Sequence, residues 1–166
     1  MTESGEEAHR TAQAVARRSY GKLVAFLAAR TRDVAAAEDA LSEAFAAALA
    51  HWPATGVPAN PEAWLIAAAK RKAIDAHRAR RRSEGASPHL ALLAEELSIA
   101  PGTTQEIPDE RLALLFACAH PAIDESVRAP LMLQTVLGGD AATIASAFLV
   151  SPAAMSQRLV RAKTKI

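Results

Sequence analysis

The sequence predicts an all-α protein built from two small helical domains, and three observations carry that prediction. Alanine is abundant, while the 166 residues contain only 7 glycines and 4% aromatics, a composition poor in strand and turn formers. Apolar residues recur at helical spacing in several separate segments. Those segments open on Asn-Pro-Glu, Pro-Asp-Glu and Ser-Pro, which are helix-start signals, and they are separated by proline- and glycine-bearing breaks.

The elements follow in order. Val15, Tyr20, Leu23, Val24, Phe26 and Leu27 predict a helix over residues 8 to 31. A second runs from Asp33 to His51, with Leu41, Ala44, Phe45, Ala48 and Trp52 as its apolar stripe and Asp39 and Glu43 directed away from it. Trp52 to Asn60 reads as a loop because it holds two prolines and a glycine. Asn60-Pro61-Glu62 supplies an N-cap, a proline at the first helical position and an acid in the first turn. The helix that it opens passes through Trp64-Leu65-Ile66 and frays near Arg82.

Residues 83 to 107 read as an acidic linker, with one short apolar piece at Leu90 to Leu97. Pro108-Asp109-Glu110 starts another helix, which covers Leu112, Leu115, Phe116 and Ala119 and stops at His120-Pro121. A further helix spans Glu125 to Leu137, with Pro130 as a kink or late start. After Gly138-Gly139, a short helix from Asp140 to Phe148 meets a break at Leu149–Ser151, and Ser151-Pro152 opens the last helix. Met155, Leu159, Ala162 and Ile166 form its apolar stripe, leaving Ala153, Gln157, Val160, Arg161 and Thr164 on the far face. That arrangement suits a helix-turn-helix, one face docked and the other free for a DNA groove. Any two amphipathic helices of a bundle would show a similar break and basic face. The domains are therefore expected at residues 8–82 and 108–166, joined by the linker at 83–107.

Charge is segregated along the chain. The formal net charge is +1, but Lys70 to Arg82 holds seven cations and one acid, and Glu84 to Glu125 holds eight acids and one cation. A second basic block, with Arg158, Arg161, Lys163 and Lys165, closes the chain. Two basic blocks around an acidic spacer suggest two contacts with a polyanion; either block alone also fits a solvated helix face.

The same residues argue against other classes. The start is polar and acidic, unlike a secretory leader, and no apolar run reaches the roughly 18 residues of a membrane span, so neither is expected. The single cysteine, Cys118, fits a reducing cytoplasm. Cys118 and His120 have no second ligand pair near them, so no metal site is expected. At a spacing of two on a helix they also make a poor nucleophile and base. No catalytic residue and no cofactor are expected.

AAAEDALSEAFAAAL (35–49), NPEAWLIAAAKRKAID (60–75) and the terminal helix-turn-helix resemble an RNA polymerase sigma factor of the extracytoplasmic-function type. PDERLALLFACAHPAI (108–123) and the ending FLVSPAAMSQRLVRAKTKI resemble the subgroup that carries a C-terminal helical-repeat extension. The extension is not in this sequence, which ends mid-pattern; a truncated form is expected, with a protein that dispenses with the extension as the other reading. The resemblance implies a region 2-like bundle and a region 4-like helix-turn-helix domain. It also implies core RNA polymerase and promoter DNA as partners, with the extension or a separate regulator as a further one, and a cytoplasmic, non-enzymatic role in transcription initiation. A stand-alone helix-turn-helix regulator is the alternative.

The resemblance assigns sites residue by residue. Asp39, Ser42, Glu43 and Phe45 correspond to the polymerase-docking element; read by itself, this is an ordinary solvated face. Asn60, Trp64, Lys70, Arg71, Arg78, Arg80, Arg81 and Arg82 correspond to the −10 DNA element, Trp64 as an aromatic wedge or, equally, a core tryptophan. Ser156, Gln157, Arg158, Arg161 and Lys163 correspond to the −35 element, with Gln157 and Arg161 as base readers. Leu149 sits where helix-turn-helix units commonly place glycine, so a slightly altered turn is expected there.

Overall fold

The computed structural model describes residues 3–84 and 107–166, with the side chains of 76–84 outside that description. Among the described residues are seven α-helices and no strand: α1 Glu3–Thr31, α2 Val34–Thr55, α3 Pro61–Glu84, α4 Arg111–Cys118, α5 Glu125–Thr135, α6 Ala141–Ala147 and α7 Pro152–Lys163. The all-α expectation holds. Most of the expected linker, including Leu90 to Leu97, lies outside the described residues.

Contacts group the chain into two units, one within Met1–Arg18 and Ala36–Ile107, the other within Ser19–Ala35 and Pro108–Ile166. Residues 19–35 thus group with the C-terminal helices, whereas the sequence places them in the first domain. The reason is visible at Gly21 in α1. A Cβ there would lie 1.7 Å from the Val136 carbonyl oxygen just past α5. The two backbones meet with no side chain between them, a contact that hydrophobic periodicity cannot reveal.

The first unit is held by small residues. Ala8, Ala12 and Val15 of α1, Ala37, Leu41, Ala44, Ala48 and Trp52 of α2, and Leu65, Ile66 and Ala69 of α3 are all buried. Alanine at i, i+4, i+7 spacing keeps the helix surface low, so neighbouring helices can approach closely. Phe45, expected in the same stripe, is half-buried. The Ser4 hydroxyl donates to the Pro53 carbonyl at 2.9 Å and ties the start of α1 to the end of α2.

The loop expected from Trp52 begins later. Helix α2 continues through Pro53 to Thr55, because Pro53 lies in the last turn and Trp52 is anchored in the core at 1% exposure. Gly56, at φ +82°, then ends the helix, its N–H donating to the Trp52 carbonyl at 2.9 Å.

In the second unit α5 packs against α4, α6 and α7, and α6 packs against α7. Leu114, Cys118, Ile123, Val127, Leu131, Ile144, Ala145, Met155, Leu159 and Ala162 are buried. Pro130 is accommodated inside α5 without ending it. Cys118 Sγ lies 3.4 Å from the Thr135 hydroxyl, which donates to the Leu131 carbonyl at 2.7 Å. On α4, Leu112 and Phe116 are 65% and 71% exposed, and Leu114 and Cys118 are the buried pair. A helix of two turns offers too few residues for its apolar period to choose a face, and here both faces are apolar.

At the start of α4, Asp109 accepts from Arg111 Nε at 2.9 Å and Nη2 at 2.6 Å, and from the Arg111 amide at 3.1 Å. These bonds, the side-chain ones first, lower its pKa from 3.8 to about 2. A folded-state pKa below the unfolded one means that the pair stabilises at neutral pH and is lost as pH falls from about 4 toward 2. An NMR titration of the Asp109 carboxyl should show a midpoint near 2, and Arg111→Ala should return it toward the ordinary range. Gly21→Ala should destabilise the second unit by about 3 kcal/mol, since backbone must shift to admit the methyl; chemical denaturation checks this.

Candidate nucleic-acid interface

On α2, residues 39 and 43 are one helical turn apart, so their carboxylates share a face. Asp39, Ser42 and Glu43 are exposed and Phe45 is half-buried, so the four expected docking residues form an acidic patch beside a partly buried ring. Glu43 also faces Lys72 of α3 across 3.6 Å, with both side chains exposed. Such a pair contributes about 0–1 kcal/mol, so it leaves the acid accessible to a basic partner.

Helix α3 opens as its sequence dictates. Asn60 accepts from the Ala63 amide at 3.0 Å as the N-cap, and Pro61 follows at a position where no donor is lost. Trp64 is half-buried and meets the fully buried Trp52 edge to face, centroids 5.5 Å apart at 69°. Neither a core tryptophan nor a free wedge describes it: one side is held by Trp52 while part of the ring remains exposed. Arg71 and Lys72 are exposed.

Lys70 is a correction. At 6% exposure its side chain is taken up by packing and cannot join the solvent-facing cations. It lies next to the buried Ala69 on the inward side of α3, a long apolar stem making burial tolerable. The side chains of Arg78, Arg80, Arg81 and Arg82 lie outside the described residues; their backbone is helical.

A groove of about 420 Å³ runs between α1 and the start of α3, lined by Arg10, Thr11, Ala14, Arg18, Asn60 and Glu62 among others. Arg10 and Arg18 escaped the sequence reading. Their signal was present, since residues 10, 14 and 18 recur every four positions on one helical face, but nothing in the sequence tied that face to Asn60.

The last two helices, α6 and α7, pack against each other across a short turn. Asp140 caps α6, accepting from the Thr143 amide at 2.9 Å and its hydroxyl at 2.5 Å, and the hydroxyl first of all lowers its pKa. Ser151 caps α7, accepting from the Ala154 amide at 3.3 Å, with Pro152 at the first helical position. Between them the chain reverses through paired terminal bonds. The Val150 amide donates to the Ala145 carbonyl at 2.9 Å and the Leu149 amide to that of Ser146 at 3.2 Å. This is a Schellman closure, which requires a left-handed residue between helix and strand-like exit. Leu149 supplies it at φ +53°. The altered turn expected from a non-glycine residue does not occur; leucine adopts the glycine conformation.

Met155, Leu159 and Ala162 are at most 6% exposed, confirming the docked stripe, while Ile166 is half-buried. Ser156, Gln157, Arg158 and Arg161 are exposed and Lys163 is half-buried. The structure separates them. Arg158 and Arg161, with Lys165, line a groove of about 340 Å³ shared with Asp124 and Ser126 at the start of α5. Lys165 Nζ donates to the Ala122 carbonyl there at 3.1 Å. Gln157 stands outside that groove.

Residues 15–83 match the family model of Sigma-70 region 2. The match covers α2, most of α1 and nearly all of α3. An uncharacterized protein of Rhizobium meliloti (strain 1021) is 38% identical over 144 residues, which are 81% of this chain and 33% of that protein. The chain thus spans about a third of the length of that relative. No solved structure matches it. Among the described residues, no three His, Cys, Asp or Glu side chains group as a metal site, and no helix is long and apolar enough to cross a membrane.

Leu149→Gly should raise stability by about 1 kcal/mol, because a left-handed residue with a Cβ carries that order of strain. The side chain is 95% exposed, so no packing is lost; a thermal melt checks it.

Proposed function

We propose that the chain is a sigma factor of the extracytoplasmic-function type, which docks on core RNA polymerase and directs it to promoters. The observation that carries this reading is the Sigma-70 region 2 match over residues 15–83, the segment that presents both the acidic α2 face and the exposed cations of α3. Asp39, Ser42 and Glu43 offer a partner's basic surface a carboxylate patch, with Phe45 beside it. Arg71 and the arginines at 78 and 80–82 supply phosphate contacts, which give affinity without sequence information. Trp64, held edge-on by Trp52, is placed to support an unstacked base, and Asn60 heads the same helix; aromatic contact offsets the cost of unstacking.

The second unit takes the −35 role. Gln157 is the leading base reader, since its amide can pair bidentately with adenine, and Arg161 can reach guanine from the groove edge. Ser156, Arg158 and Lys163 serve the backbone. PDERLALLFACAHPAI supports the finer placement in the subgroup with a helical-repeat extension. The site of action is the cytoplasm, where core polymerase works. Chemistry is left to the polymerase, and the factor contributes binding energy.

Size-exclusion chromatography with core polymerase tests the reading: the chain should co-elute, and failure to do so would sink it. Asp39→Lys with Glu43→Lys should weaken that association at least tenfold while circular dichroism stays unchanged. Unaltered affinity would refute the docking role of the α2 face.

A further inference from the structure

Helix α7 divides into three faces. Met155, Leu159 and Ala162 are buried. Arg158, Arg161 and Lys165 form one flank and line the groove beside α5 together with Asp124 and Ser126. The remaining face carries Ala153, Ser156, Gln157, Val160 and Thr164, every one exposed. At 100° per residue, Val160 lies near the middle of this outward face, with Gln157 and Thr164 one turn before and after it.

Val160 is out of keeping with its surroundings. It is 63% exposed, it is the large apolar residue of a face otherwise small or polar, and its branched Cβ favours a helix less than alanine does. Ala153, Ser156 and Thr164 are short, so the helix backbone can come close to whatever it faces, and the valine methyls stand proud of them. No carboxylate lies on this face. A surface for water would gain from a charged residue here, whereas an apolar contact would need the two methyl groups.

In the major groove the base edges display hydrogen-bonding groups and one apolar group, the C5-methyl of thymine. We propose that Val160 is a specificity-determining residue that reads a thymine methyl in the upstream promoter element. This rests on the proposed reading of α7 as the −35 helix and adds to it a base identity. Gln157 and Val160, neighbours across one turn, then read adjacent steps, one by hydrogen bonding and one by methyl contact. Arg158 and Lys165 hold the flanking phosphates, and Arg161 keeps its place at the groove edge.

The test uses the full chain with core RNA polymerase. Transcription from a promoter library randomised in the upstream element first defines the preferred sequence. Each thymine in it is then replaced by uracil, which differs only in lacking the methyl. One replacement should lower output about fourfold, the worth of one buried methyl group. Val160→Ala should abolish that sensitivity while preferences elsewhere in the element persist. Equal output with thymine and uracil at every position would overturn the proposal but leave the sigma-factor reading intact. So would a Val160→Ala variant that keeps the full sensitivity, or one that loses output on all templates through weaker polymerase binding. A library that yields no preferred upstream sequence would overturn both.

Discussion

The reversal between α6 and α7 is the constraint on which the exposed face of α7 depends. Two amide-to-carbonyl bonds end α6, one left-handed residue turns the chain, and the Ser151 hydroxyl receives the first turn of α7. Each device fixes a direction rather than adding much energy. Together they leave α7 one way to lie, with Met155, Leu159 and Ala162 inward. The outward set from Ala153 to Thr164 follows from that choice. Leu149 shows how strongly the turn is imposed: the hydrogen bonds on either side hold a leucine in a conformation that its own sterics disfavour.

The first unit achieves its shape differently. Its helices are alanine-rich, so close approach of backbones replaces interdigitation of long side chains. Trp52 fills the centre, and Trp64 leans on it at the boundary with solvent. The acidic face of α2 and the exposed cations of α3 lie on opposite partners of one exposed ion pair, Glu43 with Lys72. A patch that is weakly self-paired remains available to a stronger external partner, which is what the proposed docking and phosphate roles require.

Much of this was legible in the sequence because the signals were local. Caps at Asn60 and Ser151 act within four residues, and the α7 stripe repeats over three turns. What was hidden depended on contacts distant in sequence. Gly21 reads as an ordinary helix-weakening residue until Val136 is placed against it. Lys70 reads as one cation among seven, and only packing shows that it is inside. On α4 the apolar residues occupy both faces, so Leu112 and Phe116 outweighed Leu114 and Cys118 in any periodic reading. Pro53 reads as a helix breaker, but in a last turn it sacrifices one bond, and the burial of Trp52 decides the matter.

The Cys118 thiol carries one more consequence. It is fully enclosed beside Thr135, whose hydroxyl is committed to the Leu131 carbonyl. As the chain's one cysteine, it meets reagent only when the helices around it separate. Its chemical reactivity is therefore a clock for local opening rather than a property of the thiol. The molecule carries, at the point where α4 meets α5, an internal gauge of how often its C-terminal unit comes apart.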